Sequence, residues 1–256
     1  MYVLNIVITN DDGIYSEGII ALASEIKKMA NVTVVAPDRE RSATAHAITM
    51  HKPLRVEKIN MPISEVPGYK VNGTPSDCVK LAIEALLDFT PDMVLSGINR
   101  GANLGNDVIY SGTVSAALEA TVLGVPAIAF SVAGNEDIDF SFPARFAKSL
   151  CQQISEKVFP KGSLLNVNIP SLDEGDVEGI SITHLGIRKY KDSFDKRTDP
   201  RGREYYWLAG EVVEDLSKPN SDVSAIKNNK ISITPIHFDL TKYELIDTIQ
   251  KWNLKL

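Results

Sequence analysis

The chain has 256 residues, 44% of them hydrophobic and 23% charged, a balance that excludes a disordered or fibrous protein and suits one generous domain, or one with an appendage. Net charge is -6 with no block of Lys and Arg, which excludes broad binding to a nucleic-acid polymer; an anionic small substrate would need local help from a metal or from helix ends. No apolar run approaches the ~20 residues that span a membrane, no basic leader is visible, and the distant cysteines Cys78 and Cys151 read as buried free thiols of a reducing, cytoplasmic setting.

Residues 3–9 (VLNIVIT) are short, β-branched and nearly all apolar, the pattern of a strand buried on both faces. Ile19, Leu22, Ala23, Ile26 and Met29 recur at helical spacing and predict a helix over 17–30; residues 32–37 read as the next buried strand. Strand, helix and strand make a βαβ unit, and hence a parallel sheet with right-handed crossovers. Residues 42–59 alternate loosely around Pro53 and read as a β excursion. Thr74 as N-cap, Pro75 in the first turn and Asp77 near the positive end of the dipole start a helix predicted to run to Leu87.

The alternation continues with a strand at 92–97, a helix over 111–124 stopped by Gly124, a strand at 126–131, a helix over 142–158 and a strand at 163–170. Cys151 shares the inner face of that last helix with Ala147, Leu150, Ile154 and Val158. Beyond about residue 185 the chain becomes charged, and DPRG at 199–202 is a turn signal that predicts an extended hairpin standing off the core. Residues 230–238 read as a late strand, and 241–252 as an amphipathic segment with Leu245, Ile246, Ile249 and Trp252 on one side. The arm and tail suit oligomerisation, while the tail could equally fold onto its own core. The chain divides into a core over 1–185 and an arm, late strand and C-terminal helix over 186–256.

In open parallel sheets ligands bind beyond the carboxyl ends of the strands. Asn10, Asp11, Asp12 and Gly13 follow the first strand, Asp38 to Ser42 and Thr44 the second, and Asn99, Arg100, Gly101, Asn103, Gly105 and Asn106 the third. These loops are rich in oxygen donors and poor in histidine or thiol, which selects a hard cation such as Mg²⁺, Mn²⁺ or Ca²⁺ over zinc. Asp11 and Asp12 repel each other unless a cation or proton serves them. They can anchor one ion only where the strand has ended, and Gly13 permits that departure. The residues alone also allow them to cap the turn that follows. The run NRGANLGNDVIYSGTVSAA (99–117) brings glycines and Ser111-Gly112-Thr113 to a helix start, where free N–H groups bind phosphate; it could also be a surface loop with Ser111 as a plain N-cap. It matches neither GxGxxG nor the Walker pattern, and no GxSxG occurs. His46, His51, His184 and His237 identify no base.

ITNDDGI, VVAPDRERSATAHAIT, VNGTPSDCVKLAI, SGINRGANLGNDVIYSGTVSAALEA and GVPAIAFS together resemble SurE, the stationary-phase survival protein family, over residues 5–131, and more weakly through LLNVNIP and ISITPI. The resemblance implies a metal-dependent phosphatase of nucleoside 5'- and 3'-monophosphates, with some members trimming polyphosphate. It implies a Rossmann-like α/β fold, its mostly parallel sheet flanked by helices, with a projecting β-hairpin arm and an exchanged C-terminal segment giving homodimers or homotetramers. Carried onto this sequence, the ligands of one divalent ion, Mg²⁺ or Mn²⁺, fall on Asp11, Asp12, Ser42 and Asn99, and the phosphate loop on Asn103, Ser111, Gly112 and Thr113. Many relatives have proline where this chain has Ile98, a departure that leaves the Asn99 carboxamide in place. Attack by an aspartate on phosphorus is the chemistry of another class, whose two aspartates are separated by one residue, whereas here they are adjacent. A nucleotide-binding sensor without catalysis is the second reading, although a binder of phosphate gains little from two more negative charges unless a metal bridges them. A scaffold built on arm and tail is the third, and it leaves the first 131 residues unexplained.

Overall fold

The apolar run near the start of the chain forms an inner strand of a nine-stranded sheet. The computed structural model describes residues 3–134, 137–155, 157, 159–191, 194–214 and 218–255. In chain order the elements are β1 (Asn5–Thr9), α1 (Glu17–Ile26), β2 (Asn31–Pro37), β3 (Val56–Asn60), β4 (Pro67–Val71), α2 (Pro75–Leu81), β5 (Met93–Arg100), α3 (Gly112–Val122), β6 (Ala127–Ala133), α4 (Ser141–Ser155) and β7 (Ser163–Pro170). There follow β8 (Ile180–Ile182), the arm strands β9 (Arg188–Lys191), β10 (Phe194–Thr198), β11 (Glu204–Leu208) and β12 (Glu211–Glu214), then α5 (Asp222–Lys227), β13 (Ile231–His237) and α6 (Tyr243–Gln250).

The sheet order is β3-β4-β2-β1-β5-β6-β7-β13-β8. The six strands from β4 to β7 run parallel, β3 and β13 pair antiparallel to their inner neighbours, and β8 runs parallel to β13. This is the expected α/β architecture, its mostly parallel sheet flanked by helices. Successive strand residues face opposite layers. Ile6 and Ile8 of β1 pack with Leu22 and Ile26 of α1 and with Ala147 and Cys151 of α4. Val7 packs on the other side with Val79 of α2 and Ala116, Ala117 and Ala120 of α3. Each large side chain buried here contributes roughly 1.5–3 kcal/mol. Both cysteines are free and buried, and burial pushes the Cys151 thiol up to about 12. Among the described residues no helix is long and apolar enough to cross a membrane.

Several boundaries differ from expectation. The first helix ends at Ile26, and 27–30 form a turn. The α2 segment begins as predicted, Thr74 and Asp77 exchanging N–H bonds of 3.0 and 2.9 Å, but it continues over Ala82–Leu86 as a π-helix. Asn99 and Arg100, expected beyond the third strand, are its last residues, after a register shift between Ser96 and Asn99. That shift takes place at Gly97, whose φ of +134° and 2.4 Å approach of a notional Cβ to the Phe130 carbonyl oxygen admit no side chain. The Gly97–Ile98 peptide is cis. Of the expected β excursion only β3 is strand. Residues 41–55 make their backbone bonds elsewhere, Arg41 N–H to the Asp11 carbonyl, Ala45 N–H to the Tyr110 carbonyl and Thr49 N–H to the Asp77 carboxylate. The last core helix is observed to Ser155, and Val158 lies outside the described residues.

The charged segment from Arg188 to Glu214 forms the expected arm, whereas the late strand β13, grouped with the arm from the sequence, lies in the core sheet between β7 and β8. β10 pairs with β11 across the 199–202 turn, and β9 pairs with β12 below it. The arm is rooted on the core by Asp107, which accepts from Arg188 at 2.8 Å and from the Tyr190 hydroxyl at 2.5 Å. The buried Asp222 carboxylate reinforces that root, accepting from the N–H groups of Gly105 and Gly186 at 2.7 Å each. The residues of α6 are all exposed, so the tail does not fold onto its own core.

Candidate active site

The carboxyl ends of β1, β2 and β5 carry the polar loops of the sequence to one rim. Asn10 is fully buried and closes the first turn, its Oδ1 accepting from Gly13 N–H at 3.2 Å and its Nδ2 donating to the Gly13 carbonyl at 3.0 Å and Ser16 Oγ at 2.7 Å. This asparagine turn leaves the next two residues free for other partners, so neither aspartate caps it.

Asp11 and Asp12 turn to different elements. Asp11 is only 5% exposed; its Oδ1 accepts the hydroxyl of Thr113 at the head of α3, and its Oδ2 lies against Gly112, where a Cβ would stand 2.8 Å away. Asp12 is half-buried, and its Oδ2 accepts the backbone N–H of Arg100 at the end of β5, at 3.2 Å. Burial pushes the Asp11 carboxyl up to about 6, the Thr113 bonds opposing and the Asp12 charge adding to the rise. Burial also raises Asp12; the Arg100 N–H opposes this and the Glu40 charge adds to it. Two neighbouring acids held out of water, each disfavoured as an anion, call for a cation.

The other two expected ligands are at the same rim. Asn99 donates its Nδ2 to the Gly101 carbonyl at 2.8 Å, which leaves its Oδ1 for a cation. Ser42 is exposed, donates to Glu40 Oε1 at 2.6 Å and lines one cleft with Asp12. Among the described residues no three or more His, Cys, Asp or Glu side chains cluster as metal ligands. The donor set is instead two carboxylates with amide and hydroxyl oxygens, which fits Mg²⁺ or Mn²⁺ with water completing the shell, and does not fit zinc.

Ser111, Gly112 and Thr113 head α3 beside Asp11. Ser111 is the N-cap, accepting from Val114 N–H at 3.1 Å, and its hydroxyl hydrogen is left to donate. Asn103 is buried and tied from behind. Its N–H donates to Asn168 Oδ1 at 2.8 Å, its carbonyl accepts from Asn166 and Asn168 at 2.8 and 2.9 Å, and its Nδ2 donates to Ser131 Oγ at 2.8 Å. The alternating asparagines of NVN in an otherwise apolar strand were the available signal for this network. A second contact missed from the sequence is His46 Nε2 against Glu119 Oε2 at 2.7 Å, which pins the Ser42 loop to α3. Glu40, present among the loop residues, acquires its place only through Ser42 and Asp12.

The profile of the family described as Survival protein SurE matches residues 6–192. The chain is 49% identical over 255 residues to the 5'-nucleotidase SurE of Natranaerobius thermophilus, covering 97% of this chain and 98% of the relative. It is 51% identical over 249 residues to the 5'-nucleotidase SurE of Heliobacterium modesticaldum, covering 97% and 92%. The crystal structure of the SurE protein from Aquifex aeolicus superposes with a TM-score of 0.85 at 40% identity, covering 98% of this chain and 100% of that one.

Proposed function

The chain belongs to the SurE family, and from that premise we infer that it is a phosphomonoesterase releasing phosphate from nucleoside 5'- and 3'-monophosphates at the rim of Asp11 and Asp12. The observation that carries this reading is the pair itself: adjacent acids, both raised in pKa, one bonded to the head of α3 and the other to the end of β5.

Asp11 and Asp12, with Ser42 Oγ and Asn99 Oδ1, would hold one Mg²⁺ or Mn²⁺ ion. Such an ion, when bound, sets positive charge against phosphoryl oxygens and acidifies water. The chain supplies the remainder. Thr113 fixes Asp11 in place, and the Arg100 N–H fixes Asp12. Ser111 offers its hydroxyl hydrogen to a phosphate oxygen, and the first turn of α3 offers its positive dipole end across Gly112, which has no side chain to obstruct the approach. Asn103 holds the loop rigidly from behind. Donors set in advance around the site of growing charge are a large catalytic contribution.

Residues 1–185, joined in the same sheet by β13, serve as the catalytic core, and the arm and the α6 tail serve homodimer or homotetramer assembly, supported by the exposed apolar residues Leu245, Ile246 and Ile249 of α6 and Trp252 just after it. Two buried free thiols support a cytoplasmic setting.

The test is phosphate release from 5'- and 3'-nucleoside monophosphates and from polyphosphate, with Mg²⁺, with Mn²⁺ and with chelator, in wild type and Asp12→Asn. Release that requires both metal and Asp12 is expected. Nucleotide binding with no release under any metal would overturn the phosphatase reading in favour of a sensor.

A further inference from the structure

A cleft of about 410 Å³ opens beside the rim, and Asp12, Ser42, Tyr15, Arg100 and Phe140 are among the residues that line it. Phosphate and its ion need only the part beside Asp12. The volume left over is of the order that holds an organic group.

Tyr15 is the notable wall residue. It stands in the turn between Gly13 and α1 with 57% of its surface open, so it packs little into the core. Two residues, Gly13 and Ile14, separate it from Asp12, a backbone span of at most about 10 Å, which a ribose can bridge between a phosphate and a base. Arg100 is already engaged, bonded to Glu17 at 3.1 Å and lying 5.8 Å from the centre of the Phe140 ring. Tyr15 stands between this cleft and a neighbouring one lined by Asp38, Lys70 and Asn72, and it is the exposed aromatic residue among those lining this one, Phe140 being buried. Tyr110 is equally exposed and precedes Ser111, but it does not wall this cleft.

We propose that this cleft is the nucleoside subsite and that the nucleobase stacks on Tyr15 while the phosphate lies at Asp12. The proposal rests on the phosphomonoesterase reading above. Stacking uses a face that every base possesses, so Tyr15 selects nucleotides over other phosphate esters without selecting one base.

The experiment compares wild type, Tyr15→Ala, Tyr15→Phe and Tyr110→Ala with adenosine 5'-monophosphate and with ribose 5-phosphate, reading KM and kcat, or Ki where a compound is not turned over. Tyr15→Ala is expected to raise KM for the nucleotide about tenfold and to leave ribose 5-phosphate unchanged. Tyr15→Phe, which keeps the ring, restores the nucleotide KM. Equal effects on the two esters, no effect, failure of Phe to rescue, or the selective loss appearing in Tyr110→Ala instead would each overturn the assignment. If wild type releases phosphate from neither ester, the phosphatase reading fails. Calorimetric titration with adenosine 5'-monophosphate and Mg²⁺ then decides the stacking: weaker binding to Tyr15→Ala supports it, and equal binding refutes it.

Discussion

Thr113 donates its hydroxyl to Asp11 Oδ1 across 102 positions of sequence, joining the head of α3 to the mouth of β1. The bond lowers the pKa of a carboxyl that burial raises. Thr113→Val keeps the shape and removes the donor. A hydrogen bond to a charged group is worth roughly 1.5–3 kcal/mol, so Mn²⁺ affinity at pH 7 should fall about 10- to 100-fold, with the fold intact. Calorimetric titration reads this directly. Unchanged affinity would mean that Thr113 only packs.

The raised Asp11 carboxyl makes stability depend on pH in a direction opposite to that of a salt-bridged acid. Its folded value of about 6 lies above the ordinary 3.8, so the folded chain holds the proton more tightly than the unfolded chain. The stability associated with that proton is fully present below 3.8 and is lost as pH rises through 6. The gap corresponds to about 3 kcal/mol. In chelator, Asp11→Asn should therefore raise the melting temperature relative to wild type at pH 7.5, and the gain should shrink to nothing near pH 4. Saturating Mg²⁺ should restore wild type and abolish the gain. A gain that stays flat across pH would show that the Asp11 charge is not the cause.

The alternation of strands and helices was legible because each inner strand is apolar on both faces and each helix carries its own period. The Asn-Asp-Asp-Gly turn was legible as a site for the same local reason: two acids at the end of an apolar run are out of place there. The partner each acid takes was not legible. Thr113 and Arg100 come from other elements, and no local pattern records them. Residues 42–55 misled because loose alternation looks the same whether N–H groups meet a strand or, as here, the carbonyl of Tyr110 and the side chains of Asp77 and Asn72. The His46–Glu119 contact and the bonds of Asn103 to Asn166 and Asn168 were hidden likewise, since each spans more than 60 residues.

The exposed face of α6 offers a separate test of assembly. Leu245, Ile246 and Ile249 of α6, with Trp252 in the turn just after it, keep 41–62% of their surface exposed, so the isolated fold gains only part of what their burial would give. Substitutions at such sites usually change stability by about 0.5 kcal/mol or less. Apolar surface set on one side of a helix is stabilised by burial against another copy. Ile246→Glu with Ile249→Glu should therefore leave the chain folded by circular dichroism while sedimentation velocity shows smaller assemblies than wild type. The charge placed on that face has to be desolvated for a second copy to dock, which drives the shift. A wild type that sediments as a monomer at micromolar concentration would remove α6 and the arm from assembly. An unaltered oligomer in the double variant would confine the contact to the arm strands β9 to β12.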